Sequence, residues 1–329
     1  MSDAIVNSGF FDRLMDMLRA IAGVRTPFLN GVMSGATALG EEMAFMLIGM
    51  ILLWCVDKKF GYRFLFAYAA GSFLNQLLKA IFMIPRPWNV DPDFKIVESA
   101  REGASGWSFP SGHTQAAVLM YGGLARRIRK GWAYILAAAL ILLCGFSRMY
   151  LGVHTLLDVG VSLITGVLVL WLCEALFNRI GDGAGAYAAA SGIVAALFLG
   201  LIIYILVSAD GAPEASQLKD AAVLFGTAFG LFAGSVVERA FVKFDTRAVW
   251  WVQIIKVVLG LIILLALRMA LKPLLGLISG SPLMDSARYF VMSFVAIAVY
   301  PRLRRSILTR SRERKSFSKD SPERPRSRS

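Results

Sequence analysis

Only two histidines occur in this chain of 329 residues, and both stand at the head of an apolar run. His154 precedes Asp158 by four residues, so in a helix the two side chains would share a face, with Cβ atoms roughly 5–6 Å apart. A carboxylate in that position can orient an imidazole and raise its basicity. His113 lies in the segment Pro110-Ser111-Gly112-His113. The two histidines together predict a catalytic centre on one aqueous face.

Cations and a helix start that could bind phosphate accompany the histidines. Lys79 and Arg86 are close to two helical turns apart, so both would lie on nearly the same stripe of a helix. Ser111 and Gly112 would begin a helix and leave backbone N–H groups open to an anion. Arg148 ends another apolar run and could bind two oxygens at once. The spacing therefore predicts a phosphate-binding site beside the histidines.

The composition places these residues in a membrane protein. Hydrophobic residues make up 57% of the chain, the mean hydropathy is +0.62, and several apolar runs are long enough to cross a bilayer. The pattern predicts an all-α, polytopic membrane helix bundle with about nine transmembrane helices. They are expected at about 40–56, 64–84, 110–125, 131–147, 155–177, 186–208, 221–238, 249–268 and 286–300.

Four parts of the chain differ in character. Residues 1–38 form an N-terminal interfacial amphipathic segment, 39–178 a catalytic transmembrane core, 179–301 additional transmembrane helices, and 302–329 a basic tail that is expected to be disordered. The three cysteines lie in apolar runs without paired spacing, so the sequence predicts neither a disulfide framework nor a metal site. No metal and no cofactor are expected.

The distribution of charge predicts an orientation. The tail carries eleven lysines and arginines against three acids, a net charge of +8 out of +13 for the whole chain. With nine spans, the tail and the most basic loops share one side, which the positive-inside rule makes cytoplasmic. The candidate catalytic residues then fall on the extracytoplasmic face. Because the cations are concentrated on one side, membrane lipids are the expected partners and nucleic acid is not.

Each candidate residue also has a structural explanation. A lysine or arginine at the end of a span usually extends to the interface, and a single histidine there is more often structural than catalytic. The conjunction favours catalysis, because all the groups fall on one predicted side and include both histidines. The sequence leaves the oligomeric state open.

The three groups of residues together resemble a known signature. Lys79 is followed after six residues by Arg86-Pro87, then by Pro110-Ser111-Gly112-His113, and then by Ser147-Arg148, five residues, His154, three residues and Asp158. This arrangement is similar to the three-part signature of the type 2 phosphatidic acid phosphatase superfamily. That superfamily includes lipid phosphate phosphatases, glucose-6-phosphatase and vanadium haloperoxidases. The resemblance covers residues 79–158, and residues 180–329 add no recognisable motif.

The resemblance implies a role for each site residue. His154 would attack phosphorus to form a phosphohistidine, Asp158 would hold its other ring nitrogen, and His113 would protonate the leaving group and later activate water. The nonbridging oxygens would be bound by Lys79, Arg86, Ser111, Gly112 and Arg148.

The function implied is that of an integral membrane phosphatase that needs no metal and hydrolyses a phosphomonoester or a pyrophosphate. A lipid-linked substrate such as phosphatidate or a prenyl pyrophosphate is expected, at the extracytoplasmic face of a cell (inner) membrane or an endoplasmic-reticulum-like membrane. A sugar-phosphate phosphatase and a lipid phosphotransferase are the alternatives within the superfamily. A transporter that binds an anion or a lipid without chemistry is the alternative from another class, and phosphate release by the purified protein would discriminate.

Overall fold

The computed structural model describes residues 2–101, 103–208 and 215–302, and every regular element in these ranges is helical. Seven helices are long and apolar enough to cross a membrane, and a bent pair, Pro27–Gly40 with Glu42–Val56, would make eight. The predicted all-α membrane bundle is therefore confirmed. The expected span at 110–125 corresponds to a continuous helical segment over 112–128, at the short end of the roughly 17–25 residues that a span requires. Apart from its first residue, the predicted tail lies outside the described ranges.

The helices follow one another with short connections, except for one long loop after the sixth. Their bounds are α1 Ser2–Val6, α2 Gly9–Ala22, α3 Pro27–Thr37, α4 Glu42–Ile51, α5 Lys58–Phe82, α6 Pro87–Val90, α7 Gly112–Ala117, α8 Gly123–Ile128, α9 Gly131–Tyr150, α10 Leu156–Ile180, α11 Ala184–Ser208, α12 Ala215–Val237, α13 Trp250–Gly276 and α14 Pro282–Phe294. Four π-helical turns extend them, at Leu52–Val56, Val118–Gly122, Glu238–Val242 and Val295–Val299. The second turn joins α7 to α8, so these two form one continuous helical segment.

Side-chain caps determine where the helices near the site begin. The Thr155 hydroxyl accepts from the Asp158 N–H, and the Asp158 carboxylate accepts from the Thr155 N–H at 2.7 Å. This reciprocal capping box satisfies two backbone donors that a helix start otherwise leaves open. Asp57 caps α5 in a simpler way by accepting from the Phe60 N–H at 3.1 Å. Helices α5 and α10, which both contribute site residues, therefore have a well-defined start.

α5 lies at the centre of the bundle and is the most buried of the described spans. Its aromatic side chains pack against two other helices: Phe64 stacks on Phe45 of α4 with ring centroids 4.2 Å apart, and Phe66 meets Phe177 of α10 edge-on at 5.1 Å. Such aromatic pairs add to the free energy that their burial contributes. α5 thus holds the C-terminal Lys79 in a fixed position relative to α10.

The C-terminal helices form a second group that packs on α5 through α11 and α12. α12 and α14 lie very close together, because a Cβ at Gly230 would approach the carbonyl oxygen of Phe290 to 2.6 Å. Small residues permit such close packing in membrane bundles. α13 lies further out, with most of its surface exposed, and contacts the bundle where Gly260 meets Trp54 and Tyr300.

The N-terminal helices cover one side of the long loop between α6 and α7. α2 is amphipathic, and it buries Phe11 and Leu18 in a cluster with Ile84, Phe94 and Phe109. α3 packs against α9, the helix that carries Arg148. The loop is thus packed between α2 and the bundle, next to the ends of α5 and α9.

Candidate active site

All eight predicted site residues lie at one end of the bundle. They come from the C-terminal parts of α5 and α9, the starts of α7 and α10, and the segments that connect these helices. A cavity of about 250 Å³ opens among them, and five of the eight line it: Lys79, Arg86, Gly112, His113 and His154. The other three are almost fully buried: Ser111, Arg148 and Asp158. The sequence signature therefore corresponds to a single cluster in space.

His154 and Asp158 interact as their spacing predicts. The Nδ1 of His154 lies 3.4 Å from Oδ2 of Asp158. The same carboxylate oxygen accepts from the Ser108 hydroxyl at 2.6 Å and from the Thr155 N–H at 2.7 Å. These donors hold the carboxylate in place. The imidazole is thereby oriented by a group that is itself fixed.

The other ring nitrogen of His154 faces a cation. Nη1 of Arg86 lies 2.9 Å from Nε2 of His154 and donates to the carbonyl oxygen of Val153 at 3.0 Å. The same guanidinium donates to the carbonyl oxygens of Ser105 and Gly106 at 2.7 and 3.0 Å. Because a guanidinium has no acceptor, Nε2 must present its lone pair, and the proton of the neutral ring belongs on Nδ1 beside Asp158. This is the tautomer that a nucleophilic Nε2 requires.

Arg148 has hydrogen-bond donors for which no described residue provides an acceptor. The side chain is 1% exposed, and Nη1 donates to the Thr37 hydroxyl at 2.7 Å. Its Nε and Nη2 are buried without a hydrogen-bond partner among the described residues. Leaving buried donors of a charged group unsatisfied is costly. An anion bound beside Arg148 would satisfy them, which fits the phosphate-binding role that the sequence predicts.

The positive charges around the site oppose protonation of His154, which lies in the turn between α9 and α10. Burial lowers the pKa of His154 well below its usual value, and the nearby charges of Arg86, Arg148 and Lys79 lower it further. The imidazole therefore stays neutral through the physiological pH range. The same cations that disfavour imidazolium would favour a phosphate dianion. The cavity is thus arranged for an anion beside a neutral histidine.

Ser111 caps the start of α7. Its hydroxyl accepts from the Thr114 N–H at 3.4 Å and lies 2.9 Å from the Thr114 hydroxyl. Ser111 thus uses its hydroxyl oxygen for the cap, and its expected phosphate contact stays a prediction. Its carbonyl oxygen accepts from the Ser162 hydroxyl at 2.8 Å, and its N–H donates to the carbonyl oxygen of Asp158 at 3.2 Å. These bonds join the starts of α7 and α10.

The turn that carries His154 requires a glycine. Gly152 has a φ of +85°, and a Cβ there would lie 2.7 Å from Nη2 of Arg25 and 3.0 Å from a ring carbon of Phe94. Both the backbone conformation and the close approach exclude a larger residue. N-terminal residues therefore help to shape the turn, although they contribute nothing to the signature.

Several polar residues of the site lie outside the predicted set. Glu42, Gln76 and Asp220 line the cavity, and Ser108 donates to Asp158. The capping pattern Thr155-x-x-Asp158 is a sequence signal for the second role of Asp158. Asp220 has no such signal, because α12 is distant in sequence and only the fold brings it to the cavity.

The sequence matches a known family in two places. Residues 60–182 match the PAP2 superfamily, and residues 222–311 match the PAP2 superfamily phosphatase transmembrane extension. Phosphatidylglycerophosphatase B of Bacillus subtilis (strain 168) is 31% identical over 175 residues, which are 49% of this chain and 82% of that protein. Sphingosine-1-phosphate phosphatase 1 of Mus musculus is 27% identical over 205 residues, which are 60% of this chain and only 46% of that protein.

A solved structure is also similar. The crystal structure of the first transmembrane PAP2 type phosphatidylglycerolphosphate phosphatase from Bacillus subtilis aligns with a TM-score of 0.45 and 27% identity. The alignment covers 54% of this chain and 90% of the Bacillus subtilis chain. The sequence matches span the apolar helices as well as the clustered histidines and cations. This chain is therefore an integral membrane protein of the PAP2 superfamily and carries that superfamily's transmembrane extension.

Proposed function

We propose that this protein hydrolyses a lipid-linked phosphomonoester or pyrophosphate through a phosphohistidine intermediate and without a metal ion. The observation that carries the proposal is the environment of His154. Its Nδ1 faces Asp158, its Nε2 faces Arg86 at the cavity, and Arg148 lies nearby with buried donors that have no partner among the described residues. A nucleophile, an orienting carboxylate and an anion-binding group thus meet in one place.

In the first step of the proposed reaction, Nε2 of His154 forms a bond to phosphorus while the bond from phosphorus to the leaving oxygen breaks. The leaving oxygen takes its proton from His113, which lines the same cavity. A phosphate oxygen that binds Arg86 would replace the Arg86–His154 contact and leave the Nε2 lone pair directed at phosphorus. Asp158 stabilises the positive charge that develops on the ring.

In the second step water attacks the phosphohistidine, His113 accepts its proton, and His154 is regenerated as phosphate leaves. The charges of Lys79, Arg86 and Arg148 offset the negative charge of the nonbridging oxygens in both transition states. Three fixed cations would supply the charge that metal ions supply in other phosphatases. The N–H of Gly112 at the start of α7 adds a backbone donor.

A lipid-linked substrate is preferred because the cavity lies at the end of a membrane bundle and because the relatives' names include phosphatases of lipid phosphates. We expect kcat/KM for phosphatidate or a prenyl pyrophosphate to exceed that for glucose 6-phosphate by at least tenfold. All three should be compared as purified protein in one detergent. A clear advantage for the sugar would overturn the lipid assignment, and absence of phosphate release from all of them would overturn the proposed hydrolysis.

The same assay tests the metal-free mechanism. Activity should survive EDTA, and vanadate should inhibit, because vanadate adopts the trigonal bipyramidal geometry of phosphoryl transfer. A magnesium-dependent phosphatase assayed in parallel provides the control for chelation. Loss of activity in EDTA that magnesium restores would contradict the mechanism.

The orientation is proposed from the charge asymmetry, with the active-site end extracytoplasmic and the tail cytoplasmic. Exposed lysines at opposite ends of the bundle offer a matched pair of sites, Lys95 in the long loop and Lys130 before α9. In a background without the native cysteines, Lys95→Cys in intact cells should react with an impermeant maleimide, and Lys130→Cys should react only after permeabilisation. The reverse pattern would overturn the orientation.

A further inference from the structure

A second cavity, of about 470 Å³, lies beside the candidate active site and is mostly apolar. Its walls come from α4, α13 and α14, with Thr227 of α12 between them. We call it the lateral groove. Its apolar lining residues include Met46, Leu47, Met50, Leu261, Leu265 and Met292. The groove is built largely by helices that follow the catalytic segment and that no part of the proposed reaction uses.

The groove has the depth of one leaflet of a bilayer. Along α4 it extends from Glu42 to Met50, which at 1.5 Å per residue is about 12 Å. On α13 it extends over a similar distance, from Arg268 to Leu261. Half of a hydrocarbon core of about 30 Å is about 15 Å. The length of the groove is therefore close to the thickness of one leaflet.

The groove adjoins the active-site cavity. Glu42 lines both, so it stands at the boundary between them. Leu224 of α12 lines the active-site cavity, and Thr227, one turn further along, lines the groove. The polar boundary thus lies at the level of the phosphate site, and the apolar walls extend from it towards the middle of the membrane.

The end of the groove nearest the active site carries a cation. Nη1 of Arg268 lies 3.3 Å from the Sδ of Met43, across the opening between α13 and α4. A thioether is a weak acceptor. The guanidinium can exchange this contact for a carbonyl or phosphate oxygen of a lipid backbone. A charged group at this end and apolar walls below it complement an amphiphile that lies parallel to the bundle.

The size of the groove suits a small amphiphile. Its volume of about 470 Å³ falls within the range of roughly 300–1,000 Å³ that small-molecule sites occupy.

We infer that the lateral groove holds a hydrocarbon chain of the substrate while its phosphate occupies the cavity at His154. This inference rests on the proposed function and assigns a task to the transmembrane extension. The chain enters from the bilayer between α4 and α13, and Arg268 binds an oxygen where the chain joins the headgroup. Chain length, and not only the phosphate, then determines how well a substrate is used.

Leu265→Trp tests this inference by filling the groove. Leu265 is 50% exposed and lines the groove, so a larger side chain fits without disrupting packed residues. If the indole excludes two to three methylene groups of an oleoyl chain from the groove, kcat/KM for dioleoyl phosphatidate should fall by roughly 10- to 60-fold. Dihexanoyl phosphatidate, whose chains are too short to fill the groove, should change less than threefold.

Leu259→Trp is the matched control, because Leu259 is 42% exposed on the same helix and does not line the groove. It should leave kcat/KM for both lipids unchanged. Equal losses for the two lipids in Leu265→Trp, or equal effects of the two variants, would overturn the inference.

A second measurement needs no turnover. Dioleoyl phosphatidate should raise the melting temperature of the unsubstituted protein in detergent more than that of Leu265→Trp, because a bound ligand stabilises the folded state. Equal shifts would overturn the groove assignment even if neither lipid is hydrolysed. The two proposals can therefore fail separately. Equal shifts in melting temperature would contradict the groove assignment, whereas absence of phosphate release by the unsubstituted protein from either lipid would contradict the proposed hydrolysis.

Discussion

His154→Ala abolishes phosphate release and leaves the protein folded: this is the largest effect on activity that we expect. The nucleophile has no substitute, since the other histidine, His113, is proposed to serve the leaving group. The fold does not depend on the imidazole, because the turn is also held by Gly152 and by the capping box of α10. Phosphate release from phosphatidate and the melting temperature in detergent should be measured on the same preparation.

Asp158→Asn tests the residue that is proposed to orient the nucleophile His154. It keeps Nε2 of His154 in place but weakens the partner of Nδ1, so activity should fall by less than in His154→Ala. An amide oxygen can still accept from Thr155 and Ser108, which preserves the start of α10. Near-normal turnover by His154→Ala, or a larger loss in Asp158→Asn, would contradict the proposed roles.

Arg148→Met should have opposite effects on activity and stability. Loss of a cation from the phosphate site is expected to lower kcat/KM by about 100- to 1,000-fold. The free protein, however, no longer holds a buried charge with two unsatisfied donors. Methionine retains much of the apolar stem, and only the bond to Thr37 is lost. We therefore expect the free energy of unfolding to be unchanged or raised by about 1 kcal/mol.

Ligand binding gives the second readout for Arg148→Met. Vanadate should raise the melting temperature of the unsubstituted protein and have little effect on the variant. Arg179→Met provides the control, since Arg179 is exposed at the opposite end of α10 and should alter neither activity nor stability. Strong destabilisation by Arg148→Met, or an undiminished vanadate shift, would show that the guanidinium is structural.

The clustering of the candidate site residues could be predicted from the sequence, because these residues lie close to helix ends. Lys79, Arg86, His113 and His154 are each within a few residues of a helix terminus, so hydropathy alone brings them to one end of the bundle. His154 contacts Asp158 as expected, but it does so from the turn before α10 and not from a shared helix face. The expected common helix stripe of Lys79 and Arg86 is wrong, because α5 ends at Phe82 and Arg86 precedes α6.

Contacts between distant helices were not predictable in this way. Asp220 reaches the cavity only because α12 packs on α5, and Thr37 reaches Arg148 only because α3 packs on α9. The hydropathy of an amphiphilic or short segment is also ambiguous. The expected span at 110–125 is a helical segment over 112–128, and its polar, helix-capping start makes its ends hard to place from hydropathy.

The carboxylate of Asp158 receives the Thr155 N–H that begins α10 and also faces the nucleophile. The first turn of this helix and the alignment of His154 are consequently one cooperative unit. Fraying of that turn, which requires far less free energy than global unfolding, misaligns the imidazole while the bundle stays intact. On gentle warming or in mild denaturant, turnover should decline before the helices melt, so that loss of catalysis reports the local opening of a single helix end.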